Sequence, residues 1–257
     1  LLLLHGFTGS TETWEPLRAV LERSFTVIAI DLPGHGWSES PTDPARFALP
    51  RLAGDLAVVL DTLGFLRTAV LGYSMGGRAV IQFALQHPDR VAALVLESAS
   101  PGIADDAERA ARVASDTKLA ESIERDGIEA FVDRWEKLPL WASQASVPDE
   151  IRARLRRQRL ANLPAGLANS LRGAGAGEEP STLDRLTELR ASVLLIAGGL
   201  DPKYMTLSRI MMERLPDARL EIVEGAGHAV HLERPLEFGG AVECFLDGVA
   251  SEAGQWR

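Results

Sequence analysis

Six short apolar runs, separated by stretches of helical periodicity, limit the fold of this chain more than any other feature. The runs are residues 1–4, 25–30, 68–71, 91–96, 192–197 and 219–223, and helical patterns occupy 14–21, 52–63, 76–86, 205–215 and 236–249. Near-continuous apolar strands are buried on both faces, and strands alternating with helices make parallel sheets, so the pattern predicts an α/β fold with helices covering a mainly parallel sheet. The alternation stops between about 101 and 180, where the composition is helical and charged. That stretch is expected to be an inserted helical cap over the sheet's carboxyl edge, with residues 1–100 and 181–257 as the core. Gly173-Ala174-Gly175-Ala176-Gly177 reads as its flexible exit. No internal repeat is visible.

A length of 257 residues, 46% of them hydrophobic and 25% charged, suits one soluble domain with a sizeable core. The net charge of −9 argues against a nucleic-acid partner. No apolar run approaches the ~18 residues that span a bilayer, so no membrane partner is expected. The single cysteine, Cys244, rules out an intrachain disulfide and suits a reducing compartment, here taken as the cytoplasm. Residues 1–4 lack the basic flank and cleavage site of a signal peptide. They read as a strand that begins abruptly without an initiating Met, and one or two earlier strands are expected ahead of this numbering.

Gly72-Tyr73-Ser74-Met75-Gly76-Gly77-Arg78 lies between the third apolar run and a helical pattern. Gly-x-Ser-x-Gly in that context places a serine on a tight, strained turn with its hydroxyl raised above the sheet. A serine hydroxyl needs an imidazole to act as nucleophile or base at neutral pH. Of the five histidines, His228 in Gly225-Ala226-Gly227-His228 follows the last strand and comes late in the chain, as the order Ser, acid, His requires; the plainer alternative is a loop histidine bonded to backbone. His228 with His231 also has metal-pair spacing, but no third ligand is suitably placed, and no metal is expected. Asp201, after Gly198-Gly199-Leu200, is the orienting acid; it could instead close an Asx turn, and Glu224 is the fallback. Two backbone N–H groups are expected to hold developing negative charge: Met75, opening the helix after the serine, and Phe7, in the Gly-rich loop after the first strand.

Arg78 lies one helical turn past Ser74 on the same face, where a long side chain leans back toward the site. A buried guanidinium needs a carboxylate, and on this residue alone an internal Asp or Glu is the expected partner. The expected cap holds ten arginines against two lysines, including the acid-free run Arg152, Arg154, Arg156, Arg157 and Arg159. Most of such a run is a solvated face. Arginine is nevertheless the residue of bidentate carboxylate recognition, so two or three turned inward would suit a substrate with several carboxylates.

Over essentially its whole length the chain resembles the α/β-hydrolase superfamily with a helical cap. A narrower resemblance, to the menaquinone-pathway family of 2-succinyl-6-hydroxy-2,4-cyclohexadiene-1-carboxylate synthases, rests on several matching stretches. They are His5-Gly6-Phe7-Thr8-Gly9-Ser10 with Trp14, Asp31-Leu32-Pro33-Gly34-His35-Gly36, and the Ser74 motif through Arg78. In the cap they are Glu108-Arg109 with Arg112 and Ser115-Asp116, Trp135 ahead of Leu138-Pro139-Leu140-Trp141-Ala142-Ser143-Gln144, and Leu171-Arg172-Gly173-Ala174-Gly175. Gly198-Gly199-Leu200-Asp201 with Lys203-Tyr204, and Gly225 through His231, close the set. The resemblance implies elimination of pyruvate from an enolpyruvyl ether of a succinyl-cyclohexene, with Ser74, His228 and Asp201 acting as a base and no cofactor. It puts Arg78, Arg112 and Arg159 on substrate carboxylates, with Arg156 or Arg157 as substitutes for Arg159, and lines the pocket with Tyr73 and Trp135. Trp141 is left as either lining or cap core. The implied partner is a small polycarboxylate, bound by a monomer or weak homo-oligomer. An esterase or C–C bond hydrolase using the same triad is the alternative, and predicts a mainly apolar pocket; a non-catalytic binding module fits an intact triad least.

Overall fold

The computed structural model describes residues 1–252. The elements run β1 (Leu2–Leu4), α1 (Glu15–Leu21), β2 (Ile28–Ile30), α2 (Leu49–Thr62), β3 (Thr68–Tyr73), α3 (Met75–Gln86) and β4 (Val91–Glu97). Three long helices follow, α4 (Asp106–Trp135), α5 (Asp149–Leu160) and α6 (Pro164–Ala174), with a 3-10 segment, Pro139–Ser146, between the first two. The chain returns through β5 (Ser192–Gly198), α7 (Pro202–Met212), β6 (Ala218–Val223), the single turn α8 (Val230–Glu233) and α9 (Pro235–Glu252).

All six strands pair in parallel, in the order β2-β1-β3-β4-β5-β6. Alternate side chains feed two cores, as the two-residue period of a strand requires. Leu2, Leu4, Val70, Leu94 and Leu96 pack with Leu52, Leu56 and Leu60 of α2 and Phe83 of α3. Leu1, Leu3, Leu71, Val95 and Leu194 face the other way, against Leu17 and Leu21 of α1 and Phe238 and Phe245 of α9. Every one of these residues is buried, which is why the strands read as apolar runs rather than as alternating ones. The expected strand at 25–30 shortens to Ile28–Ile30 because its only neighbour is β1, whose register pairs Leu2 with Ile28.

The helices between β4 and β5 carry a third apolar cluster of their own, in which Ile123, Phe131 and Val132 of α4 meet Leu167 and Leu171 of α6. Helix α4 is broken at Gly127, whose φ of 82° no helix contains. The glycines of 173–177 do not form the flexible exit expected from composition. Gly173, in the last turn of α6, lies so close to the carbonyl of Pro44 that a Cβ would overlap it, and Gly173, Gly175 and Gly177 are all buried. Here glycine serves close packing of two backbones rather than chain freedom.

Candidate active site

The strand order reverses between β1 and β3, and the loops that follow those two strands, with those after β5 and β6, meet at the carboxyl edge. Open α/β sheets collect their chemistry at such a switch point. Ser74 caps α3 with φ 52° and ψ −108°, a conformation disfavoured for a residue with a side chain. The flanking glycines permit it: a Cβ on Gly72 would overlap the Gly76 carbonyl, and one on Gly76 would overlap the carbonyls of Leu4 and His5. The turn therefore lies flat against β1 and pushes Ser74 outward.

His228 Nε2 lies 3.1 Å from Ser74 Oγ, and its Nδ1 lies 2.8 Å from Asp201 Oδ2. With Nδ1–H donating to the carboxylate, Nε2 is left to accept the serine proton. Asp201 holds a second post as N-cap of α7, its Oδ1 accepting the N–H of Tyr204 at 3.2 Å. Both His228 and Asp201 are buried, and the fallback acid Glu224 is exposed. Met75 is the first residue of α3, so its N–H has no carbonyl one turn earlier to bond. Phe7 follows β1 in a loop turned by Thr8 at φ 68°, and its ring packs edge-on against Trp135 and Phe131.

A cavity of about 360 Å³ opens over Ser74 and His228. Arg78, Arg112 and Lys203 bring three cations to its wall and Asp116 one carboxylate, with Tyr73, Trp135 and Trp141 among its rings. Arg78 has no ion pair with an Asp or Glu among the described residues. Its Nη1 donates to the carbonyl of Gly175 (3.0 Å) and its Nη2 to that of Ala174 (2.7 Å). The internal carboxylate expected for this residue is thus replaced by two carbonyls at the end of α6. Burial pushes its guanidinium down to about 10, against the pull of Tyr204 and Asp116. Arg112 bonds Asp116 through Nε, 2.9 and 2.8 Å from the two oxygens. Trp141 faces the cavity, 5.6 Å from the His228 ring and 5.8 Å from that of Trp135.

Arg159 does not reach the wall of this cavity. It is buried against Glu136 at 3.0 Å and over the Trp141 ring at 5.4 Å, on walls of two neighbouring cavities. Arg156 is held by Glu136 and Asp133, so it does not take the place either.

Two features escaped sequence reasoning. Tyr204 stands over the site, its ring 4.4 Å from that of His228. Its signal was its position, in the first turn of the helix that Asp201 caps. The second is Glu97, fully buried at the end of β4, which accepts the backbone N–H of His231 (2.9 Å) and its Nδ1–H (2.8 Å). The pair accounts for His231 and ties the His228 loop to the sheet. A carboxylate ending a wholly apolar run was the clue, since a buried charge requires a partner.

Comparison with known proteins agrees with this fold. The family described as alpha/beta hydrolase fold matches residues 1–235. A Bacillus subtilis (strain 168) protein provisionally named 2-succinyl-6-hydroxy-2,4-cyclohexadiene-1-carboxylate synthase is 45% identical over 96% of this chain and 89% of its own. The Pectobacterium atrosepticum protein of the same name is 32% identical, over 96% and 93%. Among solved structures, MenH from S. aureus superposes with a TM-score of 0.93 at 34% identity, covering 96% of this chain and 93% of its own. A thermophilic esterase from Thermogutta terrifontis, solved with malate bound, superposes at 0.86 and 27% identity, over 96% and 89%. The chain belongs to the α/β-hydrolase superfamily and, within it, to the family of the 2-succinyl-6-hydroxy-2,4-cyclohexadiene-1-carboxylate synthases.

Proposed function

We propose that this chain is a carbon–oxygen lyase of menaquinone biosynthesis. It eliminates pyruvate from 2-succinyl-5-enolpyruvyl-6-hydroxy-3-cyclohexene-1-carboxylate to give 2-succinyl-6-hydroxy-2,4-cyclohexadiene-1-carboxylate. The observation that carries this reading is Arg78: a guanidinium on the cavity wall, one turn from Ser74, bonded to carbonyls and, among the described residues, to no carboxylate. Its charge is left for a ligand, and Arg112 and Lys203 add to it. A substrate with ring, succinyl and enolpyruvyl carboxylates matches that wall better than an uncharged ester does.

In this reading His228 takes the Ser74 hydroxyl proton and Ser74 Oγ takes the proton from the ring carbon. Electrons move through the ring to break the C–O bond, and the enolpyruvate that leaves receives a proton from His228 and tautomerises to pyruvate. Charge building on the succinyl carbonyl is held by the N–H groups of Phe7 and Met75. Atoms balance without water, acyl-enzyme or cofactor. Arg78 and Arg112 take carboxylates, and Tyr73 and Trp135 line the ring's berth. Arg159 takes part only by exchanging Glu136 for a substrate carboxylate. Residues 101–180 serve as the cap over a core of 1–100 and 181–257, of which 253–257 lie outside the described residues. The proposal places the enzyme in the cytoplasm, as a monomer or weak homo-oligomer, with a small polycarboxylate as its only partner.

Incubating the purified protein with the enolpyruvyl substrate, and separately with p-nitrophenyl acetate, tests the assignment. Pyruvate release is expected from the first. Fast ester cleavage without pyruvate would favour the hydrolase reading, to which the likeness to the Thermogutta esterase lends support.

A further inference from the structure

Two buried oxygens that have no partner among the described residues lie beside the same glycine. Glu233, the last residue of α8 and 7% exposed, accepts the N–H of Gly227 at 2.8 Å through Oε2, while its Oε1 bonds nothing. Ser143, in the 3-10 segment Pro139–Ser146 of the inserted helices, has an equally bare Oγ. A Cβ on Gly227 would overlap Ser143 Oγ and stand 3.2 Å from Glu233 Oε1, so both oxygens border one small space. Both are shut off from solvent, and no water can serve them there. A buried carboxylate oxygen and a buried hydroxyl are costly to leave unpaired, and each is the partner that the other lacks.

Their places in the chain give the pair a use. Gly227 immediately precedes His228, so the bond from Glu233 fixes the main chain that carries the imidazole. Glu97 does the same on the far side, at the N–H of His231. Ser143 follows Leu140 and Trp141, which line the cavity over Ser74. The 3-10 segment therefore meets the contents of the cavity at one end and the His228 loop at the other.

We propose that Glu233 is a positioning residue that couples the inserted helices to the catalytic imidazole. When a substrate draws Leu140 and Trp141 onto it, the Ser143 hydroxyl donates to Glu233 Oε1. The carboxylate, held at both oxygens, then steadies the His228 loop for proton transfer. This rests on the lyase reading for the identity of the substrate that seats the segment. No bond breaks and no proton changes owner in the step; one hydroxyl turns and one short segment settles. A bond made only in the seated state adds nothing to the stability of the free protein and everything it is worth to kcat/KM.

Ser143→Ala removes the hydroxyl alone. With wild-type protein first shown to release pyruvate, the variant is expected to lose roughly 10-fold or more in kcat/KM, the loss of one hydrogen bond to a charged acceptor, with its urea midpoint unchanged. Glu233→Ala also strips the Gly227 N–H of its acceptor, so both its midpoint and its activity should fall. Adding Ser143→Ala to that variant should lower kcat/KM by less than about twofold more, because the hydroxyl has then nothing to bond. Unchanged kcat/KM in Ser143→Ala would overturn the proposal. A lowered midpoint there would overturn it too, since the serine would be a plain structural contact of the free protein. Additive losses in the double variant would break the link to Glu233; if Glu233→Ala does not fold, Ser143→Ala alone decides. Wild-type protein that releases no pyruvate would instead strike the lyase reading itself, before any variant is compared.

Discussion

The carboxyl edge of the sheet and the helices inserted above it hold their charged groups in different ways. At the edge each polar side chain is fixed by backbone. Asp201 caps a helix while it holds His228, Glu97 accepts a main-chain N–H beside the His231 ring, and Ser74 sits where two glycines let the chain pass. In the inserted helices the charges are mostly satisfied by other side chains at the surface, as in Arg125 with Asp126 and Arg156 with Asp133. Groups of the first kind are held in place by the main chain. Groups of the second exchange a partner for water, or for another carboxylate, at little cost. Arg78 belongs to both regions: it grows from the edge and grips the carbonyls that end α6.

Substitutions at the edge should therefore be severe, and those in the insertion graded. Ser74→Ala is expected to lower pyruvate release by about 10³-fold or more with the fold intact, read by a coupled pyruvate assay and circular dichroism. Activity near wild type would remove the serine from the chemistry. Arg78→Ala should lower kcat/KM by about 100-fold and destabilise by roughly 1–2 kcal/mol, because two carbonyls lose their donor. If the protein collapses without substrate present, Arg78 is chiefly a structural clamp. Glu97→Gln should cost about 1.5–3 kcal/mol in urea unfolding, the weakening of the hydrogen bonds that His231 makes to a buried carboxylate. A smaller loss would show that the His231 tie is no stiffer than a surface pair.

A pH effect concerns the loops behind the oxyanion donors. Burial holds His5 down to about 4 and His35 to about 3, the latter also repelled by His5, whose ring is 5.1 Å away. His5 bonds in the neutral form, with Nδ1 donating to the Gly6 carbonyl and Nε2 accepting the N–H of Leu32. Between the unfolded value of about 6.5 and these lower ones, the unfolded chain binds protons that the folded chain refuses. The stability these imidazoles contribute is therefore complete above pH 6.5 and is lost progressively as pH falls from there to about 4 for His5 and about 3 for His35, with a limiting slope of about 1.4 kcal/mol per pH unit for each. Urea midpoints recorded from pH 7.5 to 4.5 should fall accordingly; a flat profile would mean that both rings gain proton-accepting partners on the acid side.

The same contrast explains what could be read in advance. Ser74, Asp201 and His228 were legible because each follows an apolar run, and strand ends in a parallel sheet converge. Arg159 was not, because its position is decided by Glu136, 23 residues earlier in the chain and adjacent only after α4 and α5 pack. Gly173 misled for a related reason: local composition signals freedom, while the tight approach of Pro44 exists only in the folded molecule. Tyr204 lies in one of the matching stretches, yet nothing local shows that its ring will pack on His228.

The backbone of Ser74 carries a further consequence. Its φ of 52° is a conformation that costs a residue with a side chain about 1–3 kcal/mol, repaid by the packing around it. A chain selected only to stay folded would discard that tension by placing glycine there. Efforts to harden this protein against heat should therefore leave the elbow alone and work on the distant faces of α2 and α9, where gains in endurance need not be taken from turnover.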